Sequence, residues 1–200
     1  FQFVCLLFFT SGLISQTIDT LKIKTEADSL LTVARSFQKS SRLEDALDLY
    51  QNSLGKFREI GDRGGEAMSL KMIGVVKFYQ GKAQEIFPYW EQELLIHREL
   101  GNKRFEGHTL NNIGNIYQNL ADYPKALISF EDALEIFRIV GDRISEGRAL
   151  NNLGGVENNL SNYSKALEYF EQSLEIKKEI GDRKGEAKTL GNIGVVYRDI

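Results

Sequence analysis

The chain has 200 residues, of which 42% are hydrophobic and 26% are charged, and its formal net charge is −3. This balance gives no basic field, so nucleic acid is not an implied partner. The single cysteine, Cys5, cannot form an internal disulfide, and the sequence contains neither a Cys-x-x-Cys nor a His-Glu-x-x-His metal motif. We therefore predict no metal and no cofactor.

The first 15 residues are almost wholly apolar, and no charged residue precedes Asp19. Such a run is shorter than the roughly 20 apolar residues that span a membrane. Its length fits the hydrophobic region of a secretory signal cleaved after Ser15, although no basic segment precedes it. An apolar helix that caps the rest of the chain is the alternative. The signal hypothesis predicts a fragment of an exported protein, periplasmic or tethered to the outer side of a membrane, whose mature chain starts near Gln16.

From residue 61 onward the sequence repeats with a period of 40. Glycine stands at positions 61, 101, 141 and 181, and residues 101–140 and 141–180 are identical at 18 of 40 positions. A period in this range is typical of a solenoid, in which each unit buries its apolar face against its neighbours. The predicted organisation is a capping repeat at 16–60, an irregular repeat at 61–100, repeats at 101–140 and 141–180, and the first helix of a truncated repeat at 181–200.

Each repeat contains two helical stripes of apolar residues. In 101–140 these stripes predict a helix A over about 103–119 and a helix B over about 124–139. Asp122 can cap helix B, and Pro124 is tolerated in its first turn. Gly141 supplies the left-handed residue that ends helix B. Gly114 and Gly154 fall in the middle of A helices, where glycine costs about 1 kcal/mol, so we expect the facing helix to approach closely there.

The repeats resemble the tetratricopeptide repeat family. That family places a large apolar residue, Leu-Gly and Tyr on helix A, and Ala, an aromatic residue and Ala on helix B. Those places are occupied here by Leu110, Ile113, Gly114, Tyr117, Ala126, Phe130 and Ala133, and in the next repeat by Leu150, Leu153, Gly154, Ala166 and Phe170. The resemblance is to a variant with a 40-residue period, of a bacterial exported type. It implies an all-α fold, an α-solenoid of antiparallel helix pairs in a right-handed superhelix.

The repeat at 61–100 departs from this pattern. Ile86 replaces the small alanine, Lys77 replaces the tyrosine, and Pro88 falls inside the predicted helix B. Proline there removes a backbone hydrogen bond and kinks or delays the helix. Both a tolerated distortion and a deliberate bend of the groove remain open. Phe78 and Tyr79 form an aromatic pair that either anchors an apolar side chain of a partner or packs into this irregular joint.

A helical projection places nine polar residues opposite the apolar stripes of the A helices. They are His108, Asn112, Asn115, Asn119, Arg148, Asn152, Asn159, Lys188 and Asn192. Stacked A helices line the concave surface of an α-solenoid, so these residues are predicted to line a groove. The asparagine amide donates and accepts, and the family resemblance implies that Asn112, Asn152 and Asn192 hold the backbone of an extended peptide. Polar residues inherited from an ancestral repeat are the alternative. Alanine at these three positions is expected to leave stability nearly unchanged.

The sequence contains no assembled set of catalytic groups, so we predict no enzyme within these residues. His97 and His108 lie on different predicted helices and are interpreted as solvated. The first functional hypothesis is a scaffold that binds a protein or extended peptide, in contact with a membrane only through a missing segment. The alternative is the sensory or regulatory front of a longer signalling protein with a histidine kinase, nucleotide cyclase or DNA-binding output.

Overall fold

The computed structural model describes the backbone of residues 2–200 and the side chains of residues 16–200. In this range the chain is helical, without strands, and its α-helices follow one another in sequence. They are α1 (Gln2–Lys39), α2 (Leu43–Glu59), α3 (Arg63–Tyr79), α4 (Phe87–Glu99), α5 (Lys103–Asn119), α6 (Tyr123–Val140), α7 (Arg143–Asn159), α8 (Tyr163–Glu179) and α9 (Arg183–Asp199). The predicted all-α solenoid of helix pairs is confirmed. The odd-numbered helices are the A helices and the even-numbered helices are the B helices.

The helices form two compact units, residues 1–96 and 97–200. In the second unit the predicted A and B helices of repeat 101–140 correspond to α5 and α6. The Asp122 carboxylate accepts a hydrogen bond from the backbone N–H of Lys125, and Pro124 lies in the first turn of α6. Gly141 ends α6 with a φ of 69°. The local signals of helix start and stop were therefore predicted correctly.

Large apolar side chains fill the interior of each unit. In the first unit Tyr50, Phe57 and Leu70 are at most 1% exposed. The buried Tyr50 hydroxyl donates a hydrogen bond to Gln38 Oε1 at 2.9 Å, which fixes α2 against the end of α1. In the second unit the four residues predicted to be buried are buried, which confirms the register of their helices: Leu110, Phe130, Leu150 and Phe170.

Glycines in the middle of A helices lie against aromatic rings of the following B helix. A Cβ atom at Gly114 would stand 2.7 Å from the Phe130 ring, and one at Gly154 would stand 2.7 Å from the Phe170 ring. At Gly74 it would stand 2.6 Å from Trp90 Cδ1. The predicted close approach is confirmed, and the group that approaches is an aromatic ring.

Pro88 lies in the first turn of a B helix and not, as was predicted, in its interior. A 3₁₀ turn occupies Ala83–Glu85, and α4 begins only at Phe87, so Pro88 stands in the first turn. Proline is tolerated there because the N–H that it lacks has no partner within the helix. The helix is delayed and has 13 residues, against 17 in α2. Ile86, in the place of the small alanine, is fully buried.

Phe78 and Tyr79 do not pack into this joint. Their side chains are 44% and 62% exposed, and the two rings meet edge to face with centroids 5.8 Å apart. Of the two alternatives left open by the sequence, the exposed aromatic pair is the one observed.

The predicted signal segment, residues 1–15, has side chains outside the described residues, so the export hypothesis stays a prediction. None of the helices that the structure describes is both long enough and apolar enough to cross a membrane.

Candidate functional site

A cavity of about 410 Å³ lies along the A helices of the second unit. Its walls come from α5, α7 and α9, with Phe170 from α8, and amide side chains dominate them. The lining residues are Asn115, Gln118, Asn151, Asn152, Gly155, Asn158, Asn159, Phe170, Lys188, Asn192 and Val195. We call it the amide cavity.

The amide cavity brings together five of the nine residues predicted to line a groove. They are Asn115, Asn152, Asn159, Lys188 and Asn192. The other four lie outside its walls: His108 and Asn112 are half-buried elsewhere on α5, and Asn119 and Arg148 are exposed. Of the projected residues, both on α9 and two of the three on α7 line this cavity, whereas on α5 only Asn115 does.

Helical spacing explains how one helix supplies most of the wall. Asn151 and Asn152 precede Gly155 by four and three residues, and Asn158 and Asn159 follow it by three and four, so the five lie on one face of α7. Gly155 keeps the centre of that face open. The nearest atom to a Cβ at this position would be Gln118 Nε2, at 3.4 Å.

Hydrogen bonds between successive A helices join the asparagines into a ladder. Asn152 Nδ2 donates to Asn111 Oδ1 at 3.1 Å, and Asn192 Nδ2 donates to Asn151 Oδ1 at 3.0 Å. Each bond spans 41 residues, because the second asparagine of one repeat reaches the first asparagine of the preceding repeat. The ladder stabilises the stacking of α5, α7 and α9 and orients the amide groups at the cavity wall.

For Asn152 and Asn192, two of the three predicted asparagines, this ladder contradicts the expectation that alanine leaves stability nearly unchanged. Asn152 and Asn192 are half-buried, and each donates to a neighbouring repeat. Loss of such a bond costs about 0.5–1.5 kcal/mol. The two residues therefore support the stacking of helices as well as lining the cavity.

Further members of this network were not predicted from the sequence. Asn151 is 7% exposed, and its Oδ1 also accepts a hydrogen bond from Thr189 Oγ1 at 3.2 Å. Lys177 on α8 is 5% exposed, and its Nζ donates to the same hydroxyl at 2.5 Å. In the sequence, only the 40-residue period indicates that position 177 is buried, because the corresponding places hold Phe57, His97 and Phe137.

Burial lowers the pKa of Lys177, and the nearby Asp182 carboxylate only partly opposes this effect. The folded protein thus binds the lysine proton more weakly than the unfolded chain, whose ordinary pKa is 10.5. At pH values below the folded pKa, Lys177 is charged in both states, so the full cost of burying the charge opposes folding. This cost falls as the pH rises from the folded pKa towards 10.5, so the free energy of unfolding increases over that pH range.

We expect Lys177→Met to raise the free energy of unfolding by about 1 kcal/mol at neutral pH, because it removes a buried charge and keeps the length of the side chain. The variant should also lose the alkaline gain in stability that Lys177 gives to the wild type. Urea titrations at several pH values measure both effects. Lys178→Met, on the exposed neighbour, is the control and should change little. Destabilisation by Lys177→Met would show that the bond to Thr189 outweighs the cost of burial.

The two histidines belong to an aromatic cluster beside the start of α5 and α7. His97 is 8% exposed and stacks on Phe105 with centroids 5.3 Å apart, so the interpretation of His97 as solvated is wrong. His108 is half-buried, with its ring 5.2 Å from that of Phe137. Its Nε2 lies 3.9 Å from a carboxylate oxygen of Asp142.

Asp142 is the polar centre of this end of the unit. It caps α7 by accepting from the Ser145 N–H at 3.1 Å, and it pairs with Arg104 at 2.8 Å. Burial opposes its ionisation, but the bonds from Ser145 and Arg104 prevail and hold the pKa of the Asp142 carboxyl below its usual value. This arrangement explains a capped helix, and no group of His, Cys, Asp and Glu in the described residues has the arrangement of a metal site.

The family model described as "Tetratricopeptide repeat" matches residues 67–139 and 145–200, more than half of the chain. No curated protein sequence matches the chain.

Solved structures show the same fold. BtubC (BKLC) from P. vanneervenii aligns with a TM-score of 0.80 at 19% identity, over 94% of this chain and 78% of that one. A Signal Transduction ATPase with Numerous Domains (STAND) protein with a tetratricopeptide repeat sensor, from Pyrococcus horikoshii, gives a TM-score of 0.82 at 20% identity, over 97% and 31%. The apo form of RapI gives 0.76 at 22%, over 82% and 60%. The chain thus spans less than a third of the STAND protein and under two thirds of RapI.

Proposed function

Because the chain belongs to the tetratricopeptide repeat family, we propose that it is a scaffold whose A helices bind a protein partner through an extended peptide segment. The observation that supports this function most directly is the amide cavity, in which seven amide side chains surround one open volume. An extended segment presents one N–H and one C=O at each residue, and amide side chains can pair with both.

Two hydrogen-bond acceptors of the ladder are available to such a segment. The Oδ1 atoms of Asn152 and Asn192 accept no hydrogen bond from the part of the chain that the structure describes, although their Nδ2 atoms donate to the preceding repeat. These two acceptors are held in place by the ladder and suit the N–H groups of a peptide. Lys188 adds one exposed cation at the same wall. We infer that the cavity recognises backbone more than side chains.

We expect Gly155→Leu to abolish most peptide binding while the protein remains folded, since the new side chain projects into the cavity and leaves the ladder bonds in place. The probe is a peptide selected on the wild-type protein from a phage-displayed random library and titrated by calorimetry. Gly191→Leu is the matched control, because Gly191 lies on exposed α9 surface where no atom approaches a Cβ within 4 Å. Leucine also suits a helix better than glycine at both positions.

Loss of affinity of about 100-fold in Gly155→Leu and none in Gly191→Leu is the expected result, because a leucine side chain fills space that the peptide needs. Equal affinity in the two variants would place the peptide on another surface. Selection of no peptide from the library would argue against the extended-segment mode itself.

A second candidate is the sensory or regulatory region of a longer signalling protein. The observation that favours it is the likeness to the STAND protein, whose tetratricopeptide repeats are described as a sensor and of which this chain covers 31%. The two candidates share the same binding surface and differ in what the bound partner controls. The gene sequence beyond Ile200 distinguishes them.

A further inference from the structure

A separate groove lies wholly in the first unit, with walls from α1, α2 and α3. It consists of two adjoining cavities of about 460 and 620 Å³ that share Arg35 in their walls. The chain contains two methionines, and each cavity has one of them: Met68 lines the first and Met72 the second. We call this the methionine groove.

The floor of the methionine groove is apolar and adaptable. Met68 is 38% exposed, and Met72 and Leu43 are half-buried. Tyr79, which also lines the second cavity, is 62% exposed. Methionine is flexible and polarisable, and exposed clusters of methionine and aromatic residues suit partners whose side chains vary in shape.

The charge at the rim of the second cavity is positive. Arg35 and Lys39 are exposed there, and no acidic residue is among its walls. Neither cation forms an ion pair with another described residue of the chain. Neighbouring cations behave differently, since Lys24 pairs with Asp62 and Arg42 pairs with Asp45. A partner with a carboxylate would therefore meet two cations without having to displace an internal ion pair.

The 40-residue period shows that this chemistry is particular to the first unit. Met72 stands where the later A helices have Asn112, Asn152 and Asn192, and Tyr79 stands where they have Asn119 and Asn159. The same helix face thus presents amides in the second unit and methionine with an aromatic ring in the first. Amides suit a peptide backbone, whereas the methionine groove suits a side chain.

We propose that the methionine groove binds a protein segment in which an apolar side chain stands next to a carboxylate. The apolar side chain contacts Met72, Leu43 and Tyr79, and the carboxylate pairs with Arg35 and Lys39. This inference rests on the proposed function, in that the A helices bind peptide, and it adds the side-chain chemistry that the first unit selects.

The test uses the full chain labelled with ¹³C in its methionine methyl groups, whose signals report on this groove and are assigned with Met68→Leu and Met72→Leu. The probe is the peptide acetyl-Gly-Leu-Asp-Leu-Asp-Gly-amide. One matched peptide has lysine for both aspartates, and another has serine for both leucines. We expect saturable shifts of the Met72 signal with the acidic apolar peptide and binding about tenfold weaker with either matched peptide.

The variant Arg35→Glu/Lys39→Glu should reverse the preference, so that the lysine peptide binds better than the aspartate peptide. The control Lys22→Glu/Lys82→Glu makes the same change in net charge on exposed residues outside the groove and should keep the original preference. Absence of methionine shifts at millimolar acidic peptide would overturn the proposal. Equal binding of the aspartate and lysine peptides, or an unchanged preference after charge reversal, would do the same.

Failure of this proposal is separable from failure of the proposed function. The methionine signals report on the first unit, whereas the effect of Gly155→Leu on a library-selected peptide reports on the second. Loss of binding in Gly155→Leu without any methionine shift would leave the scaffold function supported and the methionine groove refuted.

Discussion

Replacement of Leu150 by aspartate should cost the second unit about 4 kcal/mol or more of unfolding free energy. Leu150 is 1% exposed in the middle of α7, the helix that packs against both α6 and α8. An aspartate there buries either a charge without a partner or a neutral acid without its hydrogen bonds, and it also loses the leucine packing. Urea or thermal unfolding followed by circular dichroism measures the change.

Ile144→Asp is the matched control for this experiment. Ile144 lies on the same helix but is 50% exposed, so the same type of substitution should stay within about 0.5 kcal/mol of the wild type. A negative charge in the first turn of α7 also suits the helix dipole. Wild-type melting of Leu150→Asp, or equal damage from both variants, would contradict the side-chain register assigned to α7.

The features that the sequence predicted well are those fixed by local chemistry. Asp122 and Gly141 start and stop α6 through bonds and dihedral angles within a few residues, so their effect needs no knowledge of the remaining fold. The burial of Leu150 and Phe170 likewise follows from the spacing of apolar residues on their own helices. Repetition of these signals at a period of 40 then specified the succession of helix pairs.

The features that the sequence did not predict depend on which repeats contact each other. The bond from Asn192 to Asn151 joins residues 41 positions apart, and a helical projection gives the direction of a side chain but not its partner. For the same reason, alanine at Asn152 was expected to leave stability nearly unchanged. Lys177 and His97 occupy places that hold phenylalanine elsewhere, and their polar side chains concealed that these places are buried.

The irregular repeat lies between these two cases. Pro88 correctly indicated a disturbance of the B helix, since proline restricts the residue before it and lacks a donor. Its consequence could be a kink within a helix or a later start, and local rules do not choose between them. The structure has the later start, with Trp90 one turn into α4 and set against α3.

The contact between Gly74 and Trp90 predicts a second large loss of stability, from a substitution of the glycine. We expect Gly74→Ala to destabilise the protein by about 2 kcal/mol, although alanine is the better helix former by about 1 kcal/mol. A Cβ at this position would stand 2.6 Å from Trp90 Cδ1, and real side chains do not approach so closely. The indole cannot move away cheaply, because it is 5% exposed and its Nε1 donates to the Lys71 carbonyl at 3.1 Å.

Gly55→Ala separates this steric effect from helix propensity. Gly55 lies in α2 with no atom within 4 Å of a Cβ, so alanine should stabilise the protein there by up to about 1 kcal/mol. A double-mutant cycle then tests the partner: in a Trp90→Ala background, Gly74→Ala should no longer destabilise, since the obstructing ring is gone. Chemical denaturation of the four proteins of the cycle measures the coupling. An equal cost of Gly74→Ala with and without the indole would mean that some contact other than the Trp90 ring requires glycine at this position.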